Sequence, residues 1–64
     1  MKIFVEKIRN EKRMSLNELS RRSGVALSHL HAIESGESNP TIAILCKIAK
    51  ALEVPCERLY TCDD

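Results

Sequence analysis

The chain has 64 residues, of which 44% are hydrophobic, 30% are charged and only two are aromatic. These values fit one small globular domain and exclude a second, and we expect that domain over residues 1–60 with a frayed tail at 61–64. No stretch approaches the roughly 18 to 20 consecutive apolar residues of a membrane span, and the N-terminus lacks the apolar core of a secretory signal. We therefore expect a cytoplasmic protein with no membrane contact.

Charge is distributed unevenly along the chain, although the formal net charge is only +1. Residues 1–24 carry seven basic and three acidic side chains, whereas residues 25–64 carry three basic and six acidic ones. Such asymmetry is compatible with a polyanion bound to one side of the domain, and equally with ordinary solvated helix faces.

Apolar residues recur every three or four positions and no run alternates with period two, so the sequence predicts an all-α fold of five short helices. The first helix is predicted over residues 1–12. A capping box predicts that the second helix begins at Ser15 and ends near Ser23. In this motif the Ser15 hydroxyl accepts from the Glu18 N–H, and the Glu18 carboxylate reaches back to the Ser15 N–H.

Glycine, threonine and proline mark the remaining helix ends. Gly24 suits a left-handed helix end, and a third helix is predicted over 26–34, before a second glycine. Thr41 is a good N-cap for a fourth helix, and Pro55 suits the first turn of a fifth that ends near Tyr60. The apolar stripe of the fourth helix consists of Ile42, Leu45, Ile48, Ala49 and Leu52.

The second and third predicted helices, with the glycine turn between them, have the spacing of a helix-turn-helix from Leu16 to Ser35. Ser20 is small where the two helices approach each other. Helical spacing turns four side chains toward the core: Leu19, Val25, Leu30 and Ile33. The outer surface of the third helix carries Leu27, Ser28, His31 and Ala32, near the end where a recognition helix meets base edges in the major groove.

Three stretches carry a resemblance to a known family: IRNEKRMSLNEL at 8–19, SGVALSHLHAIESG at 23–36 and NPTIAILCKIAKALEV at 39–54. They resemble the Cro/CI-type helix-turn-helix regulators of bacteria and phages, which have the compact five-helix lambda-repressor-like fold. The likeness covers residues 1–60. The SLxEL and GVAxS combinations look closest to small bacterial repressors of the biofilm and sporulation type.

This resemblance implies roles for individual residues, with double-stranded DNA as the partner. Positions that match base-reading and groove-lining residues are Leu27, Ser28, His29, His31 and Ala32. Positions that match phosphate contacts are Leu16, Glu37, Ser38 and Asn39, and we expect Arg21 and Arg22 to add phosphate contacts of their own. Arg9 and Glu34 match a buried ion pair that joins two helices of the scaffold.

The chain departs from the family pattern on this same face. The family commonly has Gln at Leu16, polar or basic residues at Leu27 and Ala32, and Lys or Arg at Glu37. We therefore expect modest, salt-sensitive affinity for DNA. Three further departures, which predict weaker helix caps, are Arg13, Ala26 and Glu53.

The histidines and cysteines do not form a recognisable metal or catalytic motif. His29 and His31 are two apart on a helix and point in different directions, so we expect neither a metal nor a cofactor. Cys46 and Cys56 are predicted to be core or near-core residues and Cys62 to be exposed. A disulfide between Cys56 and Cys62, or between subunits, is an open alternative that would make the chain a redox sensor. The chain holds no catalytic triad, paired carboxylates or phosphate-binding glycine loop, so we do not expect an enzyme.

The leading interpretation is a transcriptional regulator, and more specifically a repressor, that binds duplex DNA as a homodimer. Self-association would use Ile44, Leu59 and Tyr60 as apolar anchors. The alternative is a protein-interaction module of the antirepressor or antitoxin type, with a regulatory protein as partner. It is motivated by the apolar residues at positions 16, 27 and 32.

Overall fold

The computed structural model describes residues 2–62, and its elements are few and short. In chain order they are strand β1 (Lys2–Ile3), helices α1 (Val5–Glu11), α2 (Leu16–Ser23), α3 (Leu27–Ser35) and α4 (Ile42–Leu52), the 3-10 turn η1 (Cys56–Leu59) and strand β2 (Tyr60–Thr61). None of the helices in this range is long and apolar enough to cross a membrane. The fold is thus almost entirely helical, with four α-helices in residues 2–62 instead of the five expected.

One aliphatic core joins all four helices and η1. The four residues predicted to face inward from the helix-turn-helix are all buried, which confirms that part of the pattern. The stripe predicted for α4 was wrong only at Ile42, which is the first residue of the helix and is 54% exposed. The buried residues are Val5, Ile8, Leu19, Val25, Leu30, Ile33, Leu45, Ile48, Ala49, Leu52 and Leu59.

Half of the predicted capping box is present at the start of α2. The Ser15 hydroxyl accepts from the Glu18 N–H at 3.1 Å, as expected. The reciprocal bond to the Ser15 N–H was a wrong prediction, because the Glu18 carboxylate pairs with Arg21 and Arg22 instead. Opposite charges three and four residues apart lie on one face of a helix, and this competes with the capping geometry.

The two central helices begin with different caps. The Thr41 hydroxyl accepts from the Ile44 N–H at 3.2 Å and caps α4, as predicted. Ala26 precedes α3 without any side-chain cap bond. The predicted span of 26–34 for this helix is therefore displaced by one residue at each end.

Four of the residues that the structure describes adopt the left-handed backbone conformation that ends helices. Gly24 (φ 76°) and Gly36 (φ 85°) do so at no steric cost, after α2 and α3. Arg13 (φ 55°) and Glu53 (φ 59°) do so with a side chain present, which costs roughly 1 kcal/mol each. The loops after α1 and α4 are thus the weakly capped ones.

Both ends of the described chain differ from the prediction. The N-terminal residues do not begin a helix, because Lys2 pairs antiparallel with Thr61 and Ile3 with Tyr60. The Phe4 N–H continues this contact by donating to the Leu59 carbonyl at 2.8 Å. Strands of two residues are too short to show alternation, so the sequence, which predicted an all-α fold, gave no sign of them.

The predicted fifth helix is a single 3-10 turn that follows Pro55. It stops at Leu59 because Tyr60 is already extended in β2. Thr61, expected to begin a frayed tail, also lies in β2, whereas Asp63 and Asp64 lie outside the described residues, as does Met1.

Candidate nucleic-acid interface

The turn between α2 and α3 is fixed by hydrogen bonds and by the core. The Ser20 hydroxyl donates to the Val25 carbonyl at 2.7 Å, and the Ser23 hydroxyl accepts from the Val25 N–H at 3.2 Å. The Gly24 N–H donates to the Ser20 carbonyl at 3.0 Å. Since Val25 is itself buried, the turn cannot open without exposing apolar surface. Helix α3 is therefore held in a set position against α2.

Helix α3 has a buried side and an exposed side near its N-terminus. Leu27 is 43% exposed, and Ser28 and His31 are exposed as well. His29 and Ala32 are partly buried. Of the five candidate base-reading residues, three are thus exposed to solvent. They place an apolar group, a hydroxyl group and an imidazole group on this surface.

The two candidate phosphate-binding arginines on α2 are not independent charges. Arg21 and Arg22 are exposed, and both form ion pairs with Glu18. The spacing of these residues, three and four apart, was a signal in the sequence that our prediction did not use. The net charge of this trio is +1, so less charge is available to a polyanion than two arginines suggest.

Two backbone N–H groups in the loop after α3 already donate hydrogen bonds within the protein. The Glu37 and Ser38 N–H groups both donate to the Ala32 carbonyl, at 2.9 and 3.2 Å, and close the end of the helix. These two amides therefore already have an acceptor within the protein. The Leu16 side chain is partly buried against the core, so a contact there would use the backbone N–H at the start of α2. Asn39 is exposed.

Arg9 and Glu34 tie α1 to the end of α3. Arg9 Nε donates to Glu34 Oε2 at 2.9 Å, and Nη2 donates to Oε1 at 3.2 Å. A third donor, Nη1, reaches the Met14 carbonyl at 2.9 Å, a contact that the sequence did not suggest. The side chains are only 14% and 9% exposed. The hydrogen bond to Glu34 raises the pKa of Arg9 against the opposing effect of burial, which keeps the guanidinium charged.

The candidate dimer anchors divide into two groups. Ile44 and Tyr60 are partly buried and keep some surface. Leu59 is 0% exposed because it packs into the core of its own chain, so its assignment as an anchor was wrong.

The cysteines also differ from expectation. Cys46 was predicted to be in or near the core but is exposed, because it lies on the solvent side of α4. Cys56 is partly buried against the core and Cys62 is exposed, as predicted. The Cys46 thiol donates to Cys56 Sγ at 3.4 Å. Ten residues and a helix end separate these two, so no local pattern could have revealed the contact.

Within residues 2–62, no group of three or more histidine, cysteine or acidic side chains is placed to hold a metal ion. Within the described residues, α3 is held against α2 by the turn and the core, and part of its surface is exposed. Helix α2 beside it begins with the Ser15 cap. This is the geometry of a helix-turn-helix domain. A family model described as helix-turn-helix matches residues 5–59, and the chain belongs to the Cro/CI-type helix-turn-helix family, a family of regulators and not of enzymes.

Named relatives agree with this assignment. The chain is 39% identical over 57 residues to an uncharacterized HTH-type transcriptional regulator, Rv0474, of Mycobacterium tuberculosis, and 41% identical over 51 residues to the HTH-type transcriptional regulator SutR of Escherichia coli. It is also 41% identical over 51 residues to the HTH-type transcriptional regulator SinR of Bacillus subtilis. These alignments cover 89%, 80% and 78% of this chain, but only 41%, 29% and 46% of the relatives. The chain thus spans less than half the length of each.

Proposed function

We propose that this chain is a DNA-binding transcription regulator that places α3 in the major groove of duplex DNA. One observation carries the proposal: the N-terminal outer surface of α3 is exposed while its other face is buried and braced by α2. A helix presented in this way fits the width of the major groove. Membership of a helix-turn-helix family and the names of the relatives support the same function.

Three side chains on α3 supply the chemistry for reading bases. Leu27 offers an apolar surface to a thymine methyl group. Ser28 and His31 each offer a hydrogen-bond donor and acceptor to base edges. His29 and Ala32, which are partly buried, line the groove beside them.

Phosphate contacts come from fewer groups than in the family pattern. The groups that contact the DNA phosphates are Arg21, Arg22, the N-terminus of α2 and Asn39. Glu18 and Glu37 carry negative charge, which repels the phosphates. Since phosphate neutralisation dominates both affinity and its salt dependence, we expect a modest affinity that falls as the salt concentration rises. Sequence discrimination then depends mainly on α3.

We further propose that the chain acts as a repressor and binds as a homodimer through Ile44 and Tyr60. Two copies related by a two-fold axis would place their α3 helices about 34 Å apart, one turn of the duplex. Occupation of a promoter by such a dimer would exclude other proteins from the same grooves.

Titration of a labelled duplex from upstream of the chain's own gene, followed by fluorescence anisotropy at two salt concentrations, tests the proposal. We expect tighter binding to this duplex than to a scrambled one of equal length. Ser28→Ala and His31→Ala should reduce that preference, whereas Arg22→Ala should weaken binding to both duplexes alike. Equal binding to both duplexes by the unmodified chain would contradict the proposal.

A second candidate function is a protein-interaction module that has lost base reading. The observation in its favour is that exposed Leu27 and Glu37 stand where the family has groups that bond to DNA. Leu27→Arg separates the two functions. It should leave or increase DNA affinity if α3 faces DNA, and it should abolish partner capture if α3 faces a protein.

A further inference from the structure

Two thiols lie in contact outside the candidate DNA-binding surface. Cys46 Sγ and Cys56 Sγ are 3.4 Å apart, one on α4 and the other at the start of η1. A disulfide joins sulfur atoms at about 2.05 Å, so closure needs a movement of roughly 1.4 Å. Rotation of two short side chains can supply such a movement.

The two thiols differ in access to solvent. Cys46 is exposed, so a reagent can reach it directly. Cys56 is partly buried against the core, and burial raises the pKa of its thiol, with further increases from the hydrogen bond of Cys46 and the charge of Glu57. Because of this difference, Cys46 is the thiol that attacks an external disulfide, and Cys56 is the thiol that then displaces the bound half of that disulfide.

We propose that Cys46 and Cys56 form a modification site that reacts with low-molecular-weight disulfides, of which oxidised glutathione is the representative, to give an intrachain disulfide. The site is distinct from both pairings that the sequence suggested. Cys62 is exposed, and within residues 2–62 its thiol forms no hydrogen bond with either of the other two.

The reaction proceeds by two thiol-disulfide exchanges. The Cys46 thiolate attacks one sulfur of oxidised glutathione, which forms a mixed disulfide and releases one glutathione thiolate. The Cys56 thiol then loses its proton, attacks Cys46 Sγ and releases the second glutathione. Two protein thiols are thus oxidised and one glutathione disulfide is reduced to two thiols. The new bond joins α4 to η1 and constrains the loop of residues 47–55.

The test treats the full chain with excess oxidised glutathione, blocks remaining thiols with N-ethylmaleimide and measures the intact mass. We expect a chain that has lost two hydrogen atoms from Cys46 and Cys56, in which only Cys62 carries an added group, either a maleimide or one glutathione. Trypsin cleaves after Lys47, Lys50 and Arg58, so each cysteine falls in a different peptide. The linked pair should be peptide 23–47 with peptide 51–58.

Single-cysteine variants supply the controls. Cys62→Ser should give the same linked pair at the same yield, whereas Cys46→Ser and Cys56→Ser should give no linked pair 23–47 with 51–58. Circular dichroism checks that each variant keeps its helices. A thermal unfolding midpoint that rises on oxidation of the unmodified chain, and not of Cys46→Ser, gives a second measure of closure. A linked peptide 59–64, a covalent dimer or a mixed disulfide that persists on Cys46 or Cys56 as the main product of the unmodified chain would overturn the proposal.

Discussion

At the scale of single residues, the Arg9–Glu34 pair joins α1 to the end of α3. Its two charges are largely removed from water, and each is compensated by the other through two hydrogen bonds. A pair of this kind contributes little compared with two apolar residues, but the loss of one partner leaves an uncompensated charge. Mutation of either residue should therefore act on folding and not directly on DNA contact.

Glu34→Gln should lower the free energy of unfolding by about 2 to 4 kcal/mol, because Arg9 stays charged in a site with little water. Urea unfolding followed by circular dichroism measures the change. Glu11→Gln is the matched control, since Glu11 lies 3.9 Å from Arg58 with both side chains at least half exposed. This surface substitution should cost well under 1 kcal/mol. Similar losses in the two variants would contradict the role of the pair.

A pH-dependent contribution to stability is expected from Cys56. The folded chain raises the pKa of its thiol, chiefly by burial, and so favours the neutral form. The contribution of this pKa shift to the free energy of unfolding is present in full below the ordinary thiol pKa. It is lost as the pH rises through the raised pKa of the folded chain. Under reducing conditions the stability difference between the unmodified chain and Cys56→Ser should therefore decrease toward alkaline pH. A difference that stays constant in thermal melts would refute this.

At the scale of elements, the helices are limited by their ends. Arg13 and Glu53 hold left-handed conformations in the loops after α1 and α4, and Ala26 leaves α3 without a side-chain cap. Each departure from the family pattern thus costs backbone strain or a hydrogen bond. In a domain of this size a few such costs are a large share of the total stability.

Arg13→Gly should raise the free energy of unfolding by about 0.5 to 1 kcal/mol, because glycine relieves the left-handed strain at that position. Lys12→Gly is the control: Lys12, the neighbour of Arg13 in sequence, has φ −86°, an ordinary helical value, so glycine there only adds entropy to the unfolded chain. Thermal melts should move in opposite directions for the two variants. A decrease for both would show that the strain is absent.

Ion pairing on α2 sets how much charge this helix offers to DNA. Glu18→Gln should release Arg21 and Arg22 from their intrahelical partner, tighten binding to every duplex sequence and steepen the salt dependence. Glu11→Gln changes the net charge equally but lies on α1, away from both arginines. Anisotropy titrations at several salt concentrations compare the two. An equal gain from both variants would mean that only total charge matters.

The elements show which features a sequence can predict. Helix periodicity, the Ser15 and Thr41 caps and the glycine turns depend on neighbouring residues, and they were confirmed. The strands depend on the two ends of the chain meeting in space, which no local pattern encodes. The exposure of Cys46 follows instead from a local pattern that we did not use, since this residue lies outside the apolar stripe of α4. On the candidate site, the sequence indicated which face of α3 is exposed, but not that Glu37 and Ser38 had used their amides to close that helix.

At the scale of the whole molecule, a single copy presents a short reading surface. Helix α3 has nine residues and so is about 14 Å long, which corresponds to roughly four base pairs. So short a contact cannot by itself select one site among many. Two copies on adjacent turns would double the sequence read, which is the physical reason to propose a homodimer.

The dimer proposal predicts a dependence on the spacing of half-sites. After the bound duplex has been mapped, insertion of about five base pairs between its halves should reduce affinity to that of a single half-site, because the second half then lies on the opposite face of the DNA. Insertion of a full turn, about ten base pairs, keeps the two half-sites on the same face of the DNA but moves them apart. A rigid dimer should lose affinity for this duplex, whereas two independent copies should not. Tyr60→Asp, in the proposed interface, should make binding to the original duplex as weak as binding to one half-site. Affinity that is unaffected by all three changes would show that single copies bind independently.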